Sequence, residues 1–199
     1  MALFHRREAS PYFSNYQRYK PFLRRDFLAR CSYCERTEHY LGGEEAFEVE
    51  HFKPRARFPD LICAYGNLYY ACRKCNAHKS ETWPSGDQLA RGMRFADPCA
   101  EDLCALHLRE RETGALDALT PCGAYSSRHI RLDREELRRW RRLRSEARQD
   151  LQWLRRTEEF IEKSMSITDT NSPQCEEMAN CLSAIRRRIE ESKLRFSIE

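Results

Sequence analysis

The sequence has no long apolar run, and that absence excludes a first broad class of function. Its longest stretch nearly free of charge, Leu61 to Cys72, falls well short of the ~20 apolar residues a membrane helix needs, so no spanning segment is expected. The start MALFHRREAS has no apolar signal region, so a secreted domain stapled by disulfides lacks its usual companion. There is no internal repeat and no low-complexity tract, and a repeat array is not expected. Cysteine, by contrast, is abundant: 10 in a chain expected to be cytoplasmic, which points to metal rather than crosslinks. The hydrophobic fraction of 41% is too high for a wholly disordered protein, and 199 residues allow one domain or a small core with an appendage.

The net charge of +4 is small but uneven. Residues 51–79 hold Lys53, Arg55, Arg57, Arg73, Lys74 and Lys79 against the single acid Asp60. Clustered bases gain affinity for phosphates by displacing condensed counterions, so a phosphate-bearing partner is the natural reading of such a stretch; an ordinary solvated surface is the plain alternative.

Along the chain, aromatic residues alternate with Arg and Lys from Ser10 to Ala29, and Phe22-Leu23 with Phe27-Leu28 suits an amphipathic helix after Pro21; the segment is expected to pack on a core, with contact to nucleic acid as the alternative. Phe47 to Phe52 reads as a short strand, Asn67 to Ala71 as a second strand or turn, and a polar helix is expected from about Cys75 to before Trp83. Residues 85–97 read as a connection. His107–Arg111 and Ala115–Leu119 flank Glu112-Thr113-Gly114, a hairpin with glycine at the turn. The last third is helical: Asp133 is placed to cap a helix with Glu136 three residues on, and Leu137, Trp140, Ala147, Leu151, Leu154 and Ile161 recur at helical spacing. Residues 168–173 break that helix, and Met178, Leu182, Ile185 and Ile189 form a final stripe.

Cys31-Ser-Tyr-Cys34 and Cys72-Arg-Lys-Cys75 are two C-x-x-C knuckles. Each presents two thiolates, and two knuckles together complete the tetrahedral four-thiolate site that structural Zn²⁺ prefers. Such a site is closed and would hold fold rather than perform chemistry. Cys63, Cys99, Cys104, Cys122, Cys175 and Cys181 show no such spacing and receive no role, although Cys99, Cys104 and His107 form a weaker candidate for a second metal site that packing outweighs.

Between the knuckles lies Glu48-Val-Glu-His-Phe-Lys-Pro, with Asn67 before and Asn76 after the second knuckle. The order C-x-x-C, E-H-x-x-P, then N-L-x-x-x-C-x-x-C-N-x-x-K resembles the HNH endonuclease family over residues 31–79. The resemblance implies an α+β protein with a ββα-metal core. His51 would be its general base and Asn67 a loop-bracing member of the catalytic set. Glu50 and Asn76 would be oxygen ligands of a catalytic Mg²⁺ or Mn²⁺. Glu50 stands where the family often has Asp, and Glu48 lies two residues earlier on the same strand face, placed to compete for or share the metal. His78 points away from the Asn76 face and reads as incidental, whereas Lys79, one turn beyond Asn76, would reach a phosphate oxygen along with Lys53, Arg55, Arg57, Arg73 and Lys74.

The expected organisation is an N-terminal segment at 1–30, an HNH core at 31–95 and a hairpin-and-helix accessory region at 96–199. The activity implied is metal-dependent hydrolysis of DNA phosphodiesters, with a zinc-stabilised binding module that does not cut, or an RNA-directed nuclease, as alternatives. The wider arrangement, with Arg-Phe-Ala-Asp-Pro at 94–98, the hairpin and the Leu-rich helices, is similar to small HNH proteins of bacterial anti-phage defence of the Septu and retron-associated type. That similarity implies an ATPase partner and leaves room for an oligomer.

Overall fold

The computed structural model describes residues 4–7 and 12–196; Ser10 and Pro11 of the aromatic and basic stretch, and the ends of the chain, lie outside the described residues. The chain divides into two compact units, Met1–Trp140 and Arg141–Glu199.

In the first unit, a 3₁₀ turn at Tyr16–Tyr19 leads into α1 (Lys20–Asp26), with Pro21 in the first turn, where a helix has no use for the missing N–H. The inward residues Tyr19, Leu23 and Phe27 are buried, so this segment packs on the core as its helical spacing implied. After the first knuckle comes α2 (Glu38–Leu41), capped by the Thr37 hydroxyl and closed by Gly42 in the left-handed conformation. β1 (Phe47–His51) pairs antiparallel with β2 (Leu68–Cys72), in register from Phe47 with Cys72 to His51 with Leu68. All five β2 residues are buried, which is why LYYAC shows no polar alternation. α3 (Arg73–Lys79) follows without a loop, starting two residues before the expected position. β1, β2 and α3 form the expected ββα unit, and the protein is α+β.

The stretch 85–97 is more ordered than a plain connection. It contains α4 (Gly86–Ala90), opened by a capping box in which Ser85 and Gln88 satisfy each other's backbone N–H. The Arg94–Pro98 segment then straps the core: Phe95 and Ala96 are buried, and Asp97 accepts a 2.7 Å hydrogen bond from the Tyr69 hydroxyl. α5 (Leu103–His107) precedes the hairpin of β3 (Leu108–Glu110) and β4 (Leu116–Ala118). Gly114 turns it at φ +76°, and a side chain there would meet the Arg138 carbonyl at 2.2 Å, so the turn requires glycine. α6 (Pro121–Ile130) was not expected; its start, a Thr120 cap followed by Pro121, is a recognisable helix signal.

α7 runs Glu135–Met165 and α8 runs Pro173–Phe196. The Asp133 carboxylate, just ahead of α7, accepts from the Leu116 N–H at 3.0 Å and pairs with Arg138, tying the hairpin to the chain entering α7. Leu137 joins the core of the first unit and Trp140 packs edge-on against Tyr40. Within the second unit, Ala147, Leu151, Leu154 and Ile161 meet Leu182, Ile185 and Ile189 in one small core, so the two helices pair with each other. Among the described residues no helix is long and apolar enough to cross a membrane.

Candidate active site

Two clusters of metal-binding chemistry meet at the ββα unit, one closed and one open. The closed one is the thiol corner. Cys31 and Cys34 come from the turn after α1, Cys72 from the end of β2 and Cys75 from the first turn of α3. Their four sulfurs lie within 4.8 Å of one another, with Cys34 and Cys72 3.9 Å apart, and none forms a disulfide. Zn–S bonds of ~2.3 Å in a tetrahedron separate sulfurs by ~3.8 Å, so the donor set fits. Burial pushes the Cys31 thiol up, and four sulfurs in such a pocket do not ionise together without a cation among them.

The surroundings carry the same message. Arg36 is buried, yet its Nε and Nη2 make no hydrogen bond, an arrangement that is costly for a guanidinium unless a negative charge lies close by. Burial opposes its charge, and the neighbouring sulfurs, Cys34 foremost with Cys72 and Cys75, more than offset this, holding Arg36 above its ordinary range. Arg134 donates from Nη2 to the Cys75 sulfur at 3.3 Å. A divalent cation with four thiolates carries two net negative charges, and two guanidiniums beside it are the expected complement. Neither arginine was legible as part of the metal corner, because each reaches it only through the fold.

The open cluster is a cleft of about 710 Å³ between the 3₁₀ turn, β1 and α3, bordered by Tyr16, Lys20, Glu48, Glu50, His51, Arg55, Arg73 and Asn76. His51 ends β1. Its Nε2 lies 3.0 Å from the Ile62 carbonyl oxygen, which can only accept, so Nε2 carries the proton and Nδ1 is left as the basic nitrogen. The Tyr16 ring packs edge-on against the imidazole, centroids 4.7 Å apart, and fixes its plane. Burial lowers the His51 pKa, with Arg55 and Lys79 acting in the same sense against the Ile62 hydrogen bond, so the ring is neutral near pH 7.

Asn67 sits where a loop brace is needed. Its side-chain oxygen accepts from the Lys53 N–H at 2.8 Å, and its amide donates to the Lys53 and Leu61 carbonyls at 3.0 and 3.3 Å. It thus closes the 52–67 loop just past His51 and beside the carbonyl of Ile62 that the histidine uses. Asn76, on α3, donates to Glu48 Oε2 at 2.7 Å across the cleft floor. Glu50 is turned inward, where Lys79 contacts its Oε1 at 2.5 Å and the Tyr33 hydroxyl donates to the same oxygen at 3.2 Å. Burial pushes the Glu50 carboxyl up, and Lys79 opposes that shift.

Lys79 requires a correction. A helical offset of three from Asn76 suggested a phosphate contact, but the residue is fully buried, and its ammonium donates to the His51 carbonyl at 2.9 Å as well as to Glu50. It is an internal brace. Of the other bases, Arg55 and Arg73 border the cleft, whereas Lys53, Arg57 and Lys74 are exposed outside it; Lys53 lies over Phe58, Arg57 donates to the Trp83 carbonyl and Lys74 pairs with Glu136. Tyr16 and Lys20 enter the cleft from a segment that sequence reading assigned to packing, and no local signal marked them. His78 does not border the cleft.

The fold does not assemble the second thiol candidate. His107 meets Glu101 and Cys122 rather than Cys99 and Cys104. Both its ring nitrogens are engaged, with Thr120 at 2.8 Å and Glu101 at 3.0 Å, and Arg94 together with His107 holds the Glu101 carboxyl down to about 2. The group is a polar brace for the strap and the hairpin. None of Cys63, Cys99, Cys104, Cys122, Cys175 and Cys181 forms a disulfide.

Residues 31–82 match the family model described as HNH endonuclease. The Septu protein PtuB of Bacillus thuringiensis is 35% identical to this chain over 65 residues, which make up 30% of this chain and 24% of that protein. The chain thus aligns with about a quarter of the length of that curated relative. No solved structure matches it. The segment that matches the HNH endonuclease model encloses both knuckles, Glu48 to Pro54, Asn67 and Asn76.

Proposed function

We propose that this protein is a metal-dependent endonuclease that hydrolyses phosphodiester bonds in DNA. The observation that carries the reading is His51: a neutral imidazole, locked by the Ile62 carbonyl on one nitrogen, with its other nitrogen basic, in a cleft that also holds carboxylate and amide oxygens and two arginines. A general base with a pKa somewhat below neutrality is suited to taking a proton from water, and binding alone requires none of these features.

In this mechanism His51 Nδ1 removes a proton from a water molecule as its oxygen bonds to phosphorus. The bond from phosphorus to the 3′-oxygen breaks and the departing oxygen is protonated from solvent. A Mg²⁺ or Mn²⁺ ion, a hard cation suited to carboxylate and amide oxygens, supplies charge stabilisation for the phosphate and the departing oxygen when bound. Arg55 and Arg73 border the cleft and hold the flanking phosphates; Asn67 positions the loop behind His51. Cys31, Cys34, Cys72 and Cys75 hold a structural Zn²⁺ that sets the start of α3 and so the placement of Asn76. The HNH core at 31–95 performs the chemistry, with the 1–30 segment as one wall of its cleft and 96–199 as the accessory region.

The similarity to the Septu protein supports a role as the cytoplasmic effector of an anti-phage system, acting with an ATPase partner. Incubation of the purified chain with supercoiled plasmid, single-stranded DNA and RNA, each with Mg²⁺, Mn²⁺ or EDTA, tests the activity. Cleavage of DNA that EDTA stops and His51→Ala abolishes is the expected result. Retention of DNA without cleavage, with or without the ATPase, supports the binding module instead, and preferential cutting of RNA moves the substrate class.

A further inference from the structure

Two acidic side chains of β1 face α3, and their environments differ sharply. Glu50 is 4% exposed, and the oxygen it shares with Lys79 and Tyr33 leaves its charge neutralised inside the protein. A divalent cation bound there would sit close to a buried ammonium that no solvent screens. The Glu48 side chain is 46% exposed and borders the cleft, with Asn76 2.7 Å from one oxygen and the Arg73 guanidinium 3.5 Å from the other.

We infer that Glu48, paired with Asn76, is the carboxylate that seats the divalent cation of the cleft, and that Glu50 is a positioning residue. This assignment rests on the nuclease reading given above. Two adjacent oxygen ligands of an octahedral Mg²⁺ at ~2.1 Å lie ~3 Å apart, close to the separation already present between Glu48 and Asn76. Rotation of the Asn76 amide about its last side-chain bond exchanges its nitrogen for its oxygen and presents two oxygens to one ion. The same ion displaces Arg73, whose side chain is 65% exposed and able to turn to a phosphate. Glu50 acts elsewhere, since with Lys79 it clamps the His51 carbonyl and so holds the end of β1 that aims the base.

Mn²⁺ binding to the zinc-loaded full chain, followed by electron paramagnetic resonance with and without a non-hydrolysable DNA duplex, tests this independently of cleavage. Glu48→Gln is expected to weaken Mn²⁺ binding by at least about tenfold, because it removes a charged ligand. Glu50→Gln is expected to change it by less than about threefold, since its charge is already met by Lys79. Unchanged binding in Glu48→Gln, a larger loss in Glu50→Gln than in Glu48→Gln, or no Mn²⁺ binding by the parent each overturns the assignment. Zinc content and the melting transition are measured for both variants. If Glu50→Gln fails to fold, the exposed Glu48→Gln against the parent decides alone. Cleavage is read separately: Mn²⁺ held through Glu48 by a chain that cuts no nucleic acid overturns the nuclease reading and leaves the site standing, whereas cleavage with Mn²⁺ held through Glu50 does the reverse.

Discussion

The thiol corner and the cleft share α3, which supplies Cys75 to one and Asn76 to the other, yet they solve different problems. At the thiol corner every donor is buried and of one soft kind, and Arg36 and Arg134 supply the compensating charge from within. At the cleft the donors are mixed oxygen and nitrogen, one carboxylate is partly exposed, and arginines stand at the rim. A site that must hold a fold satisfies its metal entirely with protein; a site that must react leaves positions for water and phosphate. The two are joined by Tyr33, which stands between two thiol ligands in sequence and hydrogen-bonds Glu50, and by Lys79, one helical turn beyond Cys75.

The largest break in this comparison comes from the closed side. Cys72→Ser removes one of four ligands, and because metal binding and folding are one process in such sites, the first unit is expected to lose zinc and its cooperative melting transition, read by metal analysis and calorimetry. Next is His51→Ala, expected to reduce cleavage by a factor of about 10²–10⁴ with zinc content and melting retained; equal loss of both would place His51 in the fold rather than the chemistry. Lys79→Met leaves Glu50 buried without its partner and is expected to cost about 3–5 kcal/mol in denaturant unfolding, with zinc still bound, and so separates the brace from the metal corner. Asn67→Ala removes three hydrogen bonds to the 52–67 loop and should cost about 1–3 kcal/mol in stability and slow cleavage more than it weakens DNA binding. The smallest effect is on pH dependence. Cleavage requires neutral His51, whose pKa is lowered, so the rate is lost as pH falls through a value below the ordinary ~6.5 of histidine, and the rate holds to more acid pH than a free imidazole allows.

Much of this arrangement was legible in the chain, for reasons that differ by element. The knuckles and the E-H-x-x-P segment are short patterns whose chemistry depends on local spacing, and each lands where that spacing implies. Asn67 hydrogen-bonds across the 52–67 loop. Lys79 failed because helical offset tells which residues share a side of a helix, not whether that side meets solvent; here it meets β1. α4 and α6 were missed although their caps were readable, since each is too short for apolar periodicity to show. The Tyr16 contact with His51 had no local trace, because it joins a turn near the start of the chain to the end of a distant strand.

By itself, then, the sequence determined which chemistries the protein can perform: four thiolates at knuckle spacing for a soft cation, an acid and histidine on one strand, amides flanking the second knuckle, and bases around them. Those properties depend on side-chain type and on distances within a few residues. Only the tertiary structure decided how they divide the work. It buried Lys79 against Glu50, left Glu48 open beside Asn76, and brought Tyr16 against His51 and Arg36 against the thiols. Burial and partner choice are set by which elements pack together, and the cost of desolvating a charge makes that packing, rather than the residue's identity, the arbiter of whether a charged side chain braces the fold or meets a ligand.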